Sequence, residues 1–190
     1  MKKWIVSKIS ESIAVKQQLL KDELLLETMA KVIEEGIRCF KNNGKILFCG
    51  NGGSAADAQH LAAEFTGRFY KDRKPLFAEA LHANTSSLTA VGNDYSFEEV
   101  FARLVEAMGR RGDLLIGLST SGNSANVVRA LQKAREMGMM TIGMTGETGG
   151  RMKECCHYLL KVPSTDTPRI QESHITLGHI FCEAVEKELF

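Results

Sequence analysis

The chain has 190 residues, 44% of them hydrophobic and 25% charged, with a formal net charge of +1. That is the length of one domain, with enough apolar residues for a core. The balanced charge and the lack of a basic block give nucleic-acid binding no electrostatic support, and no apolar run reaches membrane-spanning length.

Residues 3 to 41 read as two helices. Ile5, Ile9 and Ile13 keep a four-residue period, and Leu24, Leu25, Met29, Val32, Ile33 and Ile37 continue an apolar stripe. Lys21-Asp22 offers the break and the cap. Either a sheet or another subunit must cover that stripe, and residues 1–42 are expected to form a helical oligomerisation extension. Asn42-Asn43-Gly44 closes the second helix, and Lys45 to Cys49 is a strand. The turn Gly50-Asn51-Gly52-Gly53-Ser54 leads into a helix from Ala55 to Arg68. Gly52 and Gly53 fit either tight backbone beside a ligand or a plain glycine-rich turn. His60 and Glu64 are four apart on one helix face, with Arg68 one turn further. Such a pair is either an ordinary surface contact or part of a site.

Pro75 marks a loop, and Phe77 to Leu81 is a short strand. Asn84-Thr85 caps a short helix through Ala90, which Gly92-Asn93-Asp94 interrupts. Phe97, Val100, Phe101, Leu104, Val105 and Met108 then mark an amphipathic helix ended by Gly109. Leu114 to Leu118 has the length of a buried strand, followed by Ser119-Thr120-Ser121-Gly122-Asn123-Ser124. A helix follows, with Val127, Val128, Leu131 and Ala134 on its apolar face. A strand turning through small hydroxyl residues into a helix makes an anion cradle, because the first helical N–H groups lack partners and the dipole is positive there. An ordinary capped turn is the other reading. The spacing is neither a Walker nor a dinucleotide fingerprint.

Met139 to Met144 is another strand, Gly146, Gly149 and Gly150 lead into a brief helix, and Tyr158 to Val162 is the last strand. A final helix starts near Pro168, with Gln171, Glu172, His174 and His179 on its polar side. Gln171 and His179 lie a little over two turns apart on roughly one side. A solvated polar face would look the same. His82, His157 and His174 have bland structural explanations, and Arg68 and Arg169 serve either substrate or ion pairs. The five cysteines form no CxxC pair and no segment looks like a secretion signal, which predicts a cytoplasmic chain with free thiols. The alternation of strand and helix from residue 45 onward predicts a parallel sheet covered on both faces, with ligand beyond the strand carboxyl ends.

Leu118-Ser-Thr-Ser-Gly-Asn-Ser124 resembles the signature loop of the sugar isomerase (SIS) domain family. Cys49-Gly-Asn-Gly-Gly-Ser54, His60-Leu-Ala-Ala-Glu-Phe-Thr-Gly-Arg68, Val91-Gly-Asn-Asp94 and Arg169-Ile-Gln-Glu-Ser-His174 followed by His179 extend the likeness. Over essentially the whole chain the pattern is similar to the phosphoheptose isomerases. The resemblance implies an α/β, flavodoxin-like SIS sandwich preceded by two N-terminal helices. It also implies a homotetramer with sites between subunits, and bound zinc at the positions of His60, Glu64, Gln171 and His179.

The implied reaction converts sedoheptulose 7-phosphate to D-glycero-D-manno-heptose 7-phosphate, which opens nucleotide-activated heptose synthesis for lipopolysaccharide or surface glycans. Moving a carbonyl from C2 to C1 through an enediol needs a base, an acid and a stabiliser of developing charge. Glu64 is the expected base and His179 the group exchanging protons on the other side. Ser119, Thr120, Ser121 and Ser124 are expected to grip the phosphate. Asn51, Gly52 and Gly53 would place the sugar, Asn93 and Asp94 would meet hydroxyls, and Gln171 would reach both substrate and metal. Residues 60 and 64 should therefore converge with 171 and 179 beside the hydroxyl cup, with a neighbouring protomer as one source. Similar SIS proteins that bind the bacterial replication initiator lack the carboxylate and the final histidine, both present here. Sugar-phosphate sensors of the family are fused to a DNA-binding domain, and these 190 residues are expected to hold a single SIS domain without one. Arabinose 5-phosphate isomerase fits the two leading helices and the Gln171/His179 segment less well.

Overall fold

Five short apolar runs become the strands β1 (Ile46–Gly50), β2 (Ala78–Ala80), β3 (Leu114–Leu118), β4 (Met140–Thr145) and β5 (Tyr158–Lys161) of a computed structural model covering residues 1–190. They pair in parallel in the order β2-β1-β3-β4-β5. Seven helices accompany them: α1 (Lys2–Leu19), α2 (Glu23–Lys41), α3 (Gly53–Thr66), α4 (Thr85–Asp94), α5 (Val100–Met108), α6 (Ala125–Glu136) and α7 (Thr167–Leu189). A 3-10 turn spans Gly150–Glu154.

Side chains alternate across the strands, so each face builds its own core. Ile46, Phe48, Leu114, Ile116, Leu118, Ile142 and Met144 pack with α2, α3 and α7. Leu47, Cys49 and Leu115 pack with α5 and α6 on the other face. This is the expected doubly wound sandwich, in the flavodoxin strand order.

Element ends differ from the sequence reading in three informative places. The helix α4 runs through Gly92, Asn93 and Asp94 instead of stopping at Ala90, and the Tyr95 N–H bonds the Val91 carbonyl. One glycine costs a helix only about 1 kcal/mol, and no proline follows to enforce a break. The helix α3 stops at Thr66, where the Gly67 N–H bonds Ala63 at 2.8 Å, so Arg68 leaves the face carrying His60 and Glu64. The helix α5 starts at Val100, leaving Phe97 exposed in the preceding turn.

The two leading helices have different fates. Asp22 caps α2 by accepting the Leu25 N–H at 3.0 Å, and Leu25, Met29, Val32, Cys39 and Phe40 bury against the sheet. In α1 only Leu19 is buried, while Trp4, Ile5, Val6, Ile9 and Ile13 stay exposed. Arg169 of α7 ties α1 down, donating to the Lys8 carbonyl at 2.6 Å.

At the far end of α7, Glu186 is almost fully buried. It accepts the N–H groups of Phe69, Tyr70 and Lys71 and the Nε of Arg73. Desolvation pushes its carboxyl up, but these donors together outweigh that and hold it below the usual carboxylate range. Arg73 in turn donates to the Phe65 and Glu64 carbonyls, each at 2.8 Å, fastening the end of α3. All five cysteines are free. Burial pushes the Cys39 and Cys156 thiols up to about 12, so both stay protonated at neutral pH.

His174 is completely buried in α7, and its Nε2–H donates to the Thr145 carbonyl at 3.2 Å. Burial lowers its pKa from the ordinary 6.5 to about 4. The unfolded chain therefore takes up this proton first as pH falls, so the stability held by neutral His174 is complete above pH 6.5 and lost toward pH 4. His82 and His157 are displaced downward as well, adding to the same slope. Denaturant midpoints measured from pH 7 to pH 4 should show a loss of order 3 kcal/mol from this one group, at 1.36 kcal/mol per pH unit. His174→Gln should flatten that slope.

Candidate active site

The chain leaves β1 toward one face through α3, and leaves the adjacent β3 toward the other face through α6. The reversal opens a crevice at the carboxyl ends of these strands, where open α/β sheets take their ligands. It encloses about 360 Å³ and is lined by Asn51, Gly53, Ser119, Thr120, Ser124 and Gln171 among others. Both sequence-predicted polar turns thus meet at one place.

Ser119 is buried, and its Oγ lies 2.8 Å from the Ser124 Oγ. Ser124 stands at the N-cap of α6 without a side-chain bond to the helix. The first helical donors, except the Val127 N–H, which Asn126 accepts, remain free for an anion. Ser121 makes a different contact from these two. It is exposed, its Oγ accepts the Asn123 N–H at 3.1 Å, and it does not line the crevice. Gly53 is required by close approach: a Cβ there would fall 2.5 Å from the Gln171 Nε2.

A second cluster lies further along the same two helices. His60 Nε2 is 3.0 Å from Glu64 Oε1 and 3.4 Å from the Nε2 of His179. Gly178 makes this possible, since a Cβ there would sit 2.6 Å from Leu61 side-chain carbons and hold α7 away from α3. Phe69 backs His179 with ring centroids 5.7 Å apart. Glu64 Oε1 and both imidazole nitrogens lie within 4.8 Å of one another, a donor set suited to a transition-metal ion. Asp57, one turn before His60, has a buried Oδ2 without a partner. Burial pushes its carboxyl up while His60 and His179 pull it down. The sequence reading did not single out Asp57, although its i−3 spacing from His60 was visible.

Gln171 does not join this cluster within one chain. Eight residues of helix separate it from His179 by about 12 Å, so sharing a side does not mean sharing an ion. Asn93 and Asp94 are exposed at the end of α4, bonded to each other at 2.9 Å, and do not line the crevice. Arg68 is exposed without an ion pair, whereas Arg169 pairs with Glu172 at 2.8 Å. His157 accepts the Thr141 N–H through Nδ1, and His82 packs edge-on to Phe101. None of the three bland histidines enters either cluster. Thr167 and Ser54 also line the crevice; Ser54 closed the glycine-rich motif without being given a role, and no motif marked Thr167.

Residues 10–146 match the SIS domain model. A phosphoheptose isomerase of Clostridium acetobutylicum is 54% identical over all of this chain and 97% of its own length. The chain belongs to the phosphoheptose isomerases of the SIS domain family. A relative of the same name from Aneurinibacillus thermoaerophilus is 52% identical over all of this chain and 96% of its own. The solved structure of phosphoheptose isomerase GmhA from Neisseria gonorrhoeae superposes with a TM-score of 0.92 at 46% identity, covering 98% of both chains. The chain is accordingly an isomerase, and its substrate is a phosphosugar.

Gly53→Ala should disturb the Gln171 amide, the movable end of a side chain, more than the fold. The expected result is a near-unchanged melting temperature with turnover reduced by about tenfold, equivalent to 1.4 kcal/mol. Paired calorimetric and kinetic measurements would check it.

Proposed function

We propose that the chain interconverts sedoheptulose 7-phosphate and D-glycero-D-manno-heptose 7-phosphate through an enediol, the opening step of nucleotide-activated heptose synthesis. The observation that carries this is the meeting of Glu64 with His179, from helices far apart in sequence, beside His60. It disfavours the non-catalytic reading as a replication-initiator binder, which does not need that carboxylate and imidazole.

Glu64 turns Oε1 toward His60 and leaves Oε2 without a hydrogen bond, available to take the C1 proton. The same carboxylate returns the proton to C2. His179 passes a proton between the two substrate oxygens. Ser119, Thr120, Ser121, Ser124 and the start of α6 hold the phosphate, Ser121 through its exposed hydroxyl, fixing the reacting end in place; such positioning is worth up to about 7–11 kcal/mol in favourable cases. Zinc held by His60, Glu64 and His179 would polarise the carbonyl and offset negative charge.

The 12 Å between Gln171 and His179, from the rise of about 1.5 Å per residue, supports a composite site. In this reading Gln171 and the crevice of one copy face the His60/Glu64/His179 cluster of another. Asn93 and Asp94, exposed and outside the lining of their own crevice, are then free to serve a neighbour's sugar. The exposed apolar residues of α1 suit burial in the same assembly, a homotetramer, with residues 1–42 as its oligomerisation extension on a single SIS domain. No helix is long and apolar enough to cross a membrane. The free, buried thiols fit a reducing cytoplasm.

Glu64→Gln should lose at least about 100-fold in turnover, the lower range for general-base catalysis, while still binding sedoheptulose 7-phosphate. A chelator should likewise abolish turnover, and zinc should restore it. Unchanged turnover in Glu64→Gln would overturn the base assignment. Co-expressing Glu64→Gln with Gln171→Ala should form mixed oligomers whose activity exceeds that of either parent; no complementation would count against shared sites. Ile9→Asp/Ile13→Asp should reduce the oligomer in sedimentation, whereas a wild-type monomer would exclude it outright.

A further inference from the structure

Asn126, the second residue of α6, is buried and carries a hydrogen-bond pattern that the reaction scheme leaves unused. Its Oδ1 accepts the Val127 N–H at 2.9 Å and the Asn51 Nδ2 at 2.9 Å, while its Nδ2 donates to the Asn51 Oδ1 at 2.9 Å. A backbone N–H is a donor only, so the Val127 contact fixes which end of the Asn126 amide is oxygen. That in turn fixes the Asn51 amide, which cannot flip without setting donor against donor. One N–H and one acceptor site of Asn51 remain for the crevice it lines.

The pair also crosses the reversal in the sheet. Asn51 lies in the turn entering α3 on one face, and Asn126 at the start of α6 on the other. We propose that Asn126 is a positioning residue: its amide locks Asn51 and sets the spacing between the phosphate-holding turn and the turn that meets the sugar. The proposal rests on the crevice being the phosphosugar site. Asn126 touches neither substrate nor metal in this scheme. It acts through Asn51.

Binding of sedoheptulose 7-phosphate and of inorganic phosphate by calorimetry, together with turnover, separates the cases. The proteins are wild type, Asn126→Ala, Asn51→Ala and the double variant. Inorganic phosphate engages one turn only, so Asn126→Ala should bind it within about twofold of wild type. Sedoheptulose 7-phosphate spans both turns, and its affinity should fall by about tenfold, with KM rising by a similar factor and kcat changing less. The double variant should bind no more weakly than Asn51→Ala, because contacting residues acting through one another are not additive. Should Asn126→Ala fold poorly, Asn126→Ser keeps a polar atom in the buried position and should show the same substrate-selective loss. Wild-type affinity in these variants, equal losses for both ligands, or losses that multiply in the double variant would overturn the proposal alone. Wild-type protein that binds phosphate but not sedoheptulose 7-phosphate would overturn the site reading and the proposal with it.

Discussion

The reversal of winding direction between the parallel neighbours β1 and β3 governs the rest of the molecule. Both strands are buried along their full length, so they offer a ligand nothing but their ends. Because α3 and α6 leave those ends toward opposite faces, neither covers the gap; the start of α6 offers it free N–H groups, whereas the Ser54, Ala55 and Ala56 N–H groups at the start of α3 bond the Asn51 and Gly52 carbonyls. Every polar group that lines the crevice comes from these turns or from the start of α7. The fold provides a place for an anion before any particular side chain does.

A second constraint sets the reactive cluster. α3 and α7 approach closely where Gly178 meets Leu61, and His60, Glu64 and His179 flank that contact. The register of the two helices is fixed further along by Glu186 and Arg73. Burying an ion pair is costly unless the remaining polar capacity is satisfied. Here the carboxylate takes three backbone N–H groups besides Arg73, and Arg73 reaches the carbonyl of Glu64 itself. A clamp in the interior thus determines the placing of side chains that are themselves partly exposed.

Much of this was legible in the sequence. Apolar runs such as Ile46–Gly50 and Leu114–Leu118, each followed by small polar residues, announce strands, turns and the crevice between them. Helical spacing put His60 and Glu64 on one face. Other features leave no local trace. His179 meets His60 across 119 residues through a tertiary contact, and the same spacing rule that placed Gln171 on its side says nothing of the distance along the axis. Gly92 looked like a helix break because composition ignores the cooperativity that carries α4 past it. Ser121 was expected as a hydroxyl of the cup, and nothing in its spacing announced that its Oγ would also accept the Asn123 N–H of its own turn. Glu186 drew no reading at all from the sequence, since burial with four donors is invisible to periodicity.

The reactive cluster and the anion crevice have different relations to the core. His60, Glu64 and His179 sit partly in solvent and none belongs to either packed face of the sheet, whereas Ser119 is sealed into the end of a strand. In the proposed roles, replacement of the three would therefore cost the chain its chemistry and little of its architecture. A descendant that drifted in this way would persist as a folded receptor for phosphorylated sugars, available for recruitment to signalling or scaffolding. Loss of the hydroxyl turn offers no comparable evolutionary exit, because it strikes the framework and the ligand together.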